Sequence, residues 1–225
     1  MSRKSLLHQD ENDDEPRFYN KLTGNDRWAV DVFNGMRKGF FVEAGAADGI
    51  RSSCTYTLER YFDWTGILVE PTEAGFRELG ANRPNSNCEN KCLDSTSHEV
   101  VVFTECERMW RSGIKQHINP KKLEDFSSFE RNVETISLLD LLRKFNAPKI
   151  IHYCALDTEG SEYNILKTFD FNCYRILAFS IEGSSCNDLL QQNSYKQVHN
   201  PHSSVRYENY FLHRDFDKYI DLSRR

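Results

Sequence analysis

In the stretch Phe40-Phe41-Val42-Glu43-Ala44-Gly45-Ala46-Ala47-Asp48-Gly49 an apolar run ends in an acid, and two glycines follow at a spacing of four. A second apolar run, Gly66-Ile67-Leu68-Val69-Glu70, also ends in an acid. Together they predict the first half of a nucleoside-binding α/β sheet. Gly45 lets the chain turn tightly after the strand, and Gly49 lets the backbone approach a ligand closely. The helix that follows offers unpaired N–H groups at its N-terminus, which in a dinucleotide site meet a pyrophosphate. The G-x-G-x-x-G fingerprint of such a site is absent. Glu43 stands two residues before the first glycine instead, where a carboxylate repels pyrophosphate and suits a cationic amino group. Glu70, about 20 residues beyond Gly49, ends the second strand, where an acid can accept from both ribose hydroxyls. A ligand with a ribose, an ammonium end and no phosphate matches S-adenosylmethionine.

Outward from this core, strands alternate with helices. Residues 24–38 have helical spacing of Trp28, Val32, Phe33 and Met36, with Gly39 at the stop. Strands are expected near 40–44, 66–70, 87–93 and 100–103. Ser52 or Ser53 caps a helix to about Phe62, and Thr72 caps one that ends near Arg83-Pro84. Residues 105–131 are polar and break the rhythm, so they read as a long loop or lid. Ser137-x-x-Asp140 is a capping box before the stripe Leu138, Leu139, Leu142 and Phe145. A strand at 149–156, a short helix, a strand at 175–181 and a helix at 186–193 follow. The chain then closes with two strands around Asn200-Pro201. The pattern predicts one α/β domain over 21–225: a doubly wound, mostly parallel Rossmann-like sheet with helices on both faces and an antiparallel C-terminal edge. Residues 1–20 read as a disordered acidic tail.

The 225 residues suffice for one such domain with a substantial core. A net charge of −5 argues against a general nucleic-acid or anionic-membrane binder, since both need a basic face. No apolar run approaches the roughly 18 residues of a membrane span. The acids Asp10, Glu11, Asp13, Asp14 and Glu15 have the wrong sign for a targeting segment. Seven scattered cysteines point to reduced thiols and a cytoplasmic setting. Cys88, Cys92, His98 and Cys106 are too loosely spaced for a zinc site. Sequence leaves the oligomeric state open.

Several motifs in fixed order resemble the FkbM-type methyltransferase family. They are Asp26-Arg27-Trp28, Gly39 through Gly49, Trp64 through Pro71, and Leu156-Asp157-Thr158-Glu159-Gly160-Ser161-Glu162 with Ile165-Leu166; Ile181-Glu182 fits the acid that ends the next core strand. The resemblance spans roughly residues 24–213. It implies a class I S-adenosylmethionine-dependent fold and, most often, methyl transfer to a hydroxyl oxygen. It also implies cofactor contacts from Glu43, Gly45, Ala46 and Gly49 on the methionine side, Glu70 and Pro71 at the ribose, and Leu93 and Asp94 beside adenine.

In open α/β sheets ligands bind beyond the carboxyl ends of the strands, which is where Asp157, Glu159 and Glu182 fall. In-line attack by an alcohol draws most of its acceleration from alignment and needs a base. Asp157 is the first choice, Glu159 the second, and Glu182 is an orienting group. The expected acceptor is a hydroxyl of a small molecule, sugar or glycan. No metal is assigned. A hard divalent cation on the three carboxylates is the lesser alternative, because an Asp-Asn pair is missing after the fifth strand. Two other readings are a non-catalytic binding module on the same fold and an RNA ribose or cap methyltransferase. The first has no need of acids at 43, 70 and 157; the second lacks a Lys-Asp-Lys-Glu set.

Overall fold

The computed structural model describes residues 15–220, with every side chain except that of Lys122. The apolar runs form strands as their composition dictates: β1 (Phe40–Ala44) and β2 (Thr65–Val69) pair in parallel, Val42 opposite Ile67. Strands β8 (Ile150–Leu156) and β9 (Arg175–Glu182) continue on the other side of β1. With β3 (Asn87–Glu89), β10 (Tyr195–Val198) and β11 (Glu208–His213) they make a seven-stranded sheet in the order β10-β11-β9-β8-β1-β2-β3. Only β11 runs against its core neighbour β9. It is inserted between β9 and β10, so the antiparallel strand stands one place inside the edge, and β10 takes the edge itself.

Successive residues of each strand enter different cores, as a period of two requires. Val42, Ile67 and Cys154 face α4 (Leu138–Lys144), α5 (Glu162–Lys167) and α6 (Asn187–Gln192). Phe41, Leu68 and Tyr153 face α1 (Asn25–Val32), α2 (Tyr56–Phe62), α3 (Glu73–Asn82) and α7 (Phe216–Tyr219). The result is a three-layer α/β/α sandwich with order reversing at β1. Caps fall where the short polar residues stand: Thr72 Oγ1 accepts from the Gly75 N–H, and Ser137 Oγ from the Asp140 N–H.

Two expectations change. The strand expected at 87–93 is two pieces: β3 joins the main sheet, while β4 (Cys92–Asp94) leaves it and pairs with β7 (Ser128–Ser137). The stretch 105–131, read as a loop or lid, is partly sheet. β5 runs over Val100–Cys106, β6 is Gly113–Ile114, and β7 begins at Ser128; with β4 they form a second sheet ordered β4-β7-β5-β6. The first half of β7 is Ser-Phe-Glu-Arg-Asn, without an apolar face, so alternation could not mark it. Cross-strand charge holds it: Arg131 Nε lies 2.8 Å from Glu105, and Lys115 2.7 Å from Glu130.

Of the expected acidic tail, residues 1–14 lie outside the described residues. The next few are docked on the body. Buried Asp26 accepts from the Tyr19 N–H at 2.6 Å and from Thr57 Oγ1 at 2.8 Å, and Asn20 donates to the Ser52 carbonyl. Among the described residues no helix is long and apolar enough to cross a membrane.

Candidate active site

The sheet reverses its order between β1 and β8, and a crevice opens above their carboxyl ends. Its floor is Ala44, Gly45 and Ala47 after β1, Val69, Glu70 and Pro71 after β2, and Asp157, Thr158 and Glu159 after β8. The second sheet and the 3-10 turn Met109–Arg111 form the opposite wall with Leu93, Phe103, Met109, Trp110 and Ile114. Arg131 ties this wall down by donating to the Pro71 carbonyl.

Gly45 is required by this arrangement. Its φ is +82°, and a Cβ built there would meet the Asp157 carbonyl oxygen at 2.0 Å. The close approach lets the Asp157 N–H bond the Ala44 carbonyl and brings the ends of β1 and β8 together. Gly49 has φ +81°, and a Cβ there would meet Leu79 at 2.6 Å and Arg83 at 2.7 Å.

Glu43 does not line the crevice. Its carboxylate turns to the start of α2, accepting from Ser53 Oγ at 3.0 Å, the Cys54 N–H at 2.8 Å and Thr55 Oγ1, with Arg83 at 3.7 Å. Arg83 is fully buried. It bonds Glu59 at 2.9 Å and the Gly49 carbonyl at 3.0 Å, and lies over the rings of Phe41 and Tyr56. Burial pushes the Glu43 carboxyl above its usual range, against the pull of Arg83 and the three hydrogen bonds. Glu43, expected as a methionine-side contact, here clamps the turn beneath the site through donors just ahead of α2 and through Arg83 just after α3.

Glu70 does line the crevice. Oε2 accepts from the Ala47 N–H at 2.7 Å, and Oε1 from the Thr72 N–H at 2.8 Å and Thr72 Oγ1 at 2.5 Å. A carboxylate has about four acceptor positions, so room remains for one further donor on Oε2. Burial raises its pKa, while Thr72 and Ala47 lower it. Of the remaining cofactor candidates, Gly45, Pro71 and Leu93 line the crevice, whereas Ala46 and Gly49 do not. Asp94 turns to His117, 3.6 Å away, and to its own Ser95 N–H.

Asp157, Glu159 and Glu182 come together: one carboxylate oxygen from each lies within 4.8 Å of the others. Glu159 reaches the cluster with φ +58°, in a turn completed by Gly160. Glu162 faces inward and accepts from the Thr158 N–H at 2.7 Å, Thr158 Oγ1 and the Gly160 N–H, fixing the loop that carries Asp157 and Glu159. Glu208, opposite Glu182 on β11, accepts from Asn25 at 2.8 Å. The Asp157 side chain opens to the crevice yet is flanked by protein. That enclosure first, then the charges of Glu182, Glu208, Glu159 and Glu162, push its pKa well above the ordinary carboxylate range. Glu208 is pushed up to about 7, chiefly by burial.

The roof residues Phe103, Met109, Trp110 and Ile114 were not among the candidate site residues, although the lid reading of 105–131 took in the last three. Met109-Trp110 is the one apolar pair in its polar stretch and was the available signal; β6 is two residues long and carries no period. His152 accepts from the Phe40 N–H at 3.0 Å between Phe33 and Trp64, at the opposite end of the strands, as a structural histidine does.

Among solved structures, the chain is similar to the METTL16 methyltransferase domain, with 13% identity, TM-score 0.46, and coverage of 83% of this chain and 64% of that one. It is also similar to M. capricolum TrmK in complex with S-adenosylhomocysteine, with 8% identity, TM-score 0.41, and coverage of 82% and 65%. A third is the Methanococcus jannaschii fibrillarin pre-rRNA processing protein, with 12% identity, TM-score 0.42, and coverage of 80% and 68%. The chain spans less than two thirds of the first two. No curated protein matches it. The methyltransferase FkbM domain model matches residues 43–221, which takes in the β1 turn, Glu70, the Asp157 loop and β11. The chain therefore belongs to the FkbM methyltransferase family.

Proposed function

We propose that the protein is an S-adenosylmethionine-dependent O-methyltransferase acting on a hydroxyl of a small molecule, sugar or glycan. Family membership implies the cofactor; the acceptor atom is the finer inference. One observation carries it: acids at the ends of β2 and β8 flank the β1 turn in one crevice, and no described Lys, Arg or His lines that crevice. This charge pattern disfavours a phosphate-bearing nucleotide and suits a cationic nucleoside. The residues present fit S-adenosylmethionine. Glu70 Oε2 can take one ribose hydroxyl, Leu93 and the roof offer apolar surface to the base, and the Gly45 turn admits close approach. Glu159 supplies negative potential that suits a sulfonium and an ammonium.

When bound, S-adenosylmethionine supplies a methyl on a sulfonium that departs as a neutral thioether. Asp157 acts on the acceptor. Its carboxylate would take the proton of the acceptor hydroxyl, leaving that oxygen able to receive the methyl that the cofactor would supply. A raised pKa makes it a stronger base than an ordinary aspartate. Glu162 holds its loop, and Glu182 orients the acceptor.

Titration calorimetry with S-adenosylhomocysteine tests the cofactor. Glu70→Ala should weaken binding about tenfold or more, the loss of a charged hydrogen bond of roughly 1.5–3 kcal/mol. Asp157→Ala should keep that affinity and cut methyl transfer to an acceptor by about 10²–10⁴-fold. Unchanged turnover would remove Asp157 from its role.

A further inference from the structure

Of the residues that line the crevice, only Gly45, Asp157 and Trp110 are exposed. Gly45 has no side chain, so the open mouth lies between the carboxylate of Asp157 on the floor and the indole of Trp110 on the opposite wall. An acceptor enters from solvent and must bring its hydroxyl to Asp157, and the surface it meets across from that carboxylate is the Trp110 ring. Trp110 is 59% exposed, although an indole is ordinarily well buried in a folded chain. Leu93, Phe103 and Ile114 of the same wall are buried, which leaves them to the cofactor and Trp110 to the acceptor. A second observation concerns Arg108, which stands beside the mouth and is not itself a crevice residue. Its guanidinium lies 5.5 Å from the ring centroid of Trp110 and 5.3 Å from that of Phe126. Arg131 and Lys115 of the same wall are paired with Glu105 and Glu130, whereas Arg108 has no carboxylate partner among the described residues. A guanidinium stacked on rings keeps the N–H fork at its edge free, and that fork matches a carboxylate.

We propose that Trp110 and Arg108 form the acceptor subsite, and that the acceptor is a sugar ring carrying a carboxylate, of the uronic acid class. The inference rests on the proposed function and deepens it by naming the acceptor. One face of a pyranose presents C–H groups, and covering the indole with that face removes apolar surface from water on both sides. The hydroxyls lie around the rim of the ring, so one of them can turn to Asp157 while the ring covers Trp110. The carboxylate goes to Arg108, outside the acid-lined crevice, and its charge fixes which way round the ring lies. A neutral sugar keeps the stacking and loses that anchor.

The test is iodide quenching of tryptophan fluorescence in the full chain, with S-adenosylhomocysteine calorimetry on the same samples. Trp28 and Trp64 are 2% and 1% exposed, so iodide reaches Trp110 alone. Methyl glucuronide should protect Trp110 saturably. Methyl glucoside should need a concentration about tenfold or more higher, because it lacks the charged hydrogen bond. Arg108→Gln should erase that preference. Trp110→Ala, followed by saturation-transfer NMR of the glucuronide, should bind it about tenfold more weakly. Both side chains are exposed, so both variants should keep the wild-type melting temperature and S-adenosylhomocysteine affinity. No protection by the glucuronide, equal protection by the glucoside, or protection by para-hydroxybenzoate alone would overturn the assignment. Loss of S-adenosylhomocysteine affinity in Trp110→Ala would also overturn it, by giving the ring to the cofactor base. If the glucuronide binds and S-adenosylhomocysteine does not, the cofactor reading fails and the sugar subsite stands.

Discussion

At the scale of single residues, Gly45 and Arg83 do work that no other side chain can take over. Gly45→Ala introduces an atom 2.0 Å from the Asp157 carbonyl at a φ of +82°. The left-handed backbone alone should cost about 1–3 kcal/mol, and the clash must part β1 from β8. We expect a lowered melting temperature by calorimetry together with lost S-adenosylhomocysteine binding. Arg83 is fully buried between Glu43 and Glu59. Arg83→Ala leaves two buried carboxylates without their cation, and urea denaturation should show a loss of about 3–5 kcal/mol. Lys at this place cannot span Glu59, Gly49, Ser53 and Thr55 together, because it lacks the planar fork. The residue types at 43, 45, 49 and 70 were legible in the chain. Their partners were not. Glu43 and Glu70 end equivalent strands, and only the three-dimensional position of α2 and Arg83 separates a clamp from a ligand contact.

Elements tell the same story at larger size. The caps at Thr72 and Ser137 were readable because a cap is a local event, complete within four residues. Thr72 has a second duty the sequence did not show, since both its N–H and its hydroxyl hold Glu70. Thr72→Ala should therefore destabilise the protein by about 1 kcal/mol and also loosen S-adenosylhomocysteine binding. Ser137→Ala should match the stability loss and leave binding intact; equal binding losses in both would contradict the second duty. The segment from β5 to β7 was the least legible part. Its pairing is long-range, between Val100–Cys106 and Ser128–Glu134, and β7 carries charge on both faces. Only contact with the partner strand makes it sheet.

For the whole molecule, charge is concentrated at one end of the sheet. Glu208 sits near Glu182 and Glu162 and bonds Asn25, and its pKa stands at about 7 against an ordinary 4.5. A carboxyl raised in the folded state adds stability that is complete below its unfolded pKa and is lost as pH rises through its folded pKa. Its contribution should thus fade between about pH 4.5 and about pH 7. Denaturant unfolding of Glu208→Gln should show a flatter stability profile than wild type over that window. Parallel profiles would argue that the clustered charge is relieved by other means.

Sequence by itself determined the strand and helix order, the two-faced burial of the sheet and the acids at its carboxyl ends. These follow from apolar runs, glycine positions and caps, each a property of a few neighbouring residues. Tertiary structure alone decided which acids face the crevice, that β11 enters the sheet inside β10, and that β4 to β7 roof the site. Those outcomes depend on donors and strands brought together from distant parts of the chain, and no local pattern encodes which partner a carboxylate or a strand edge will meet.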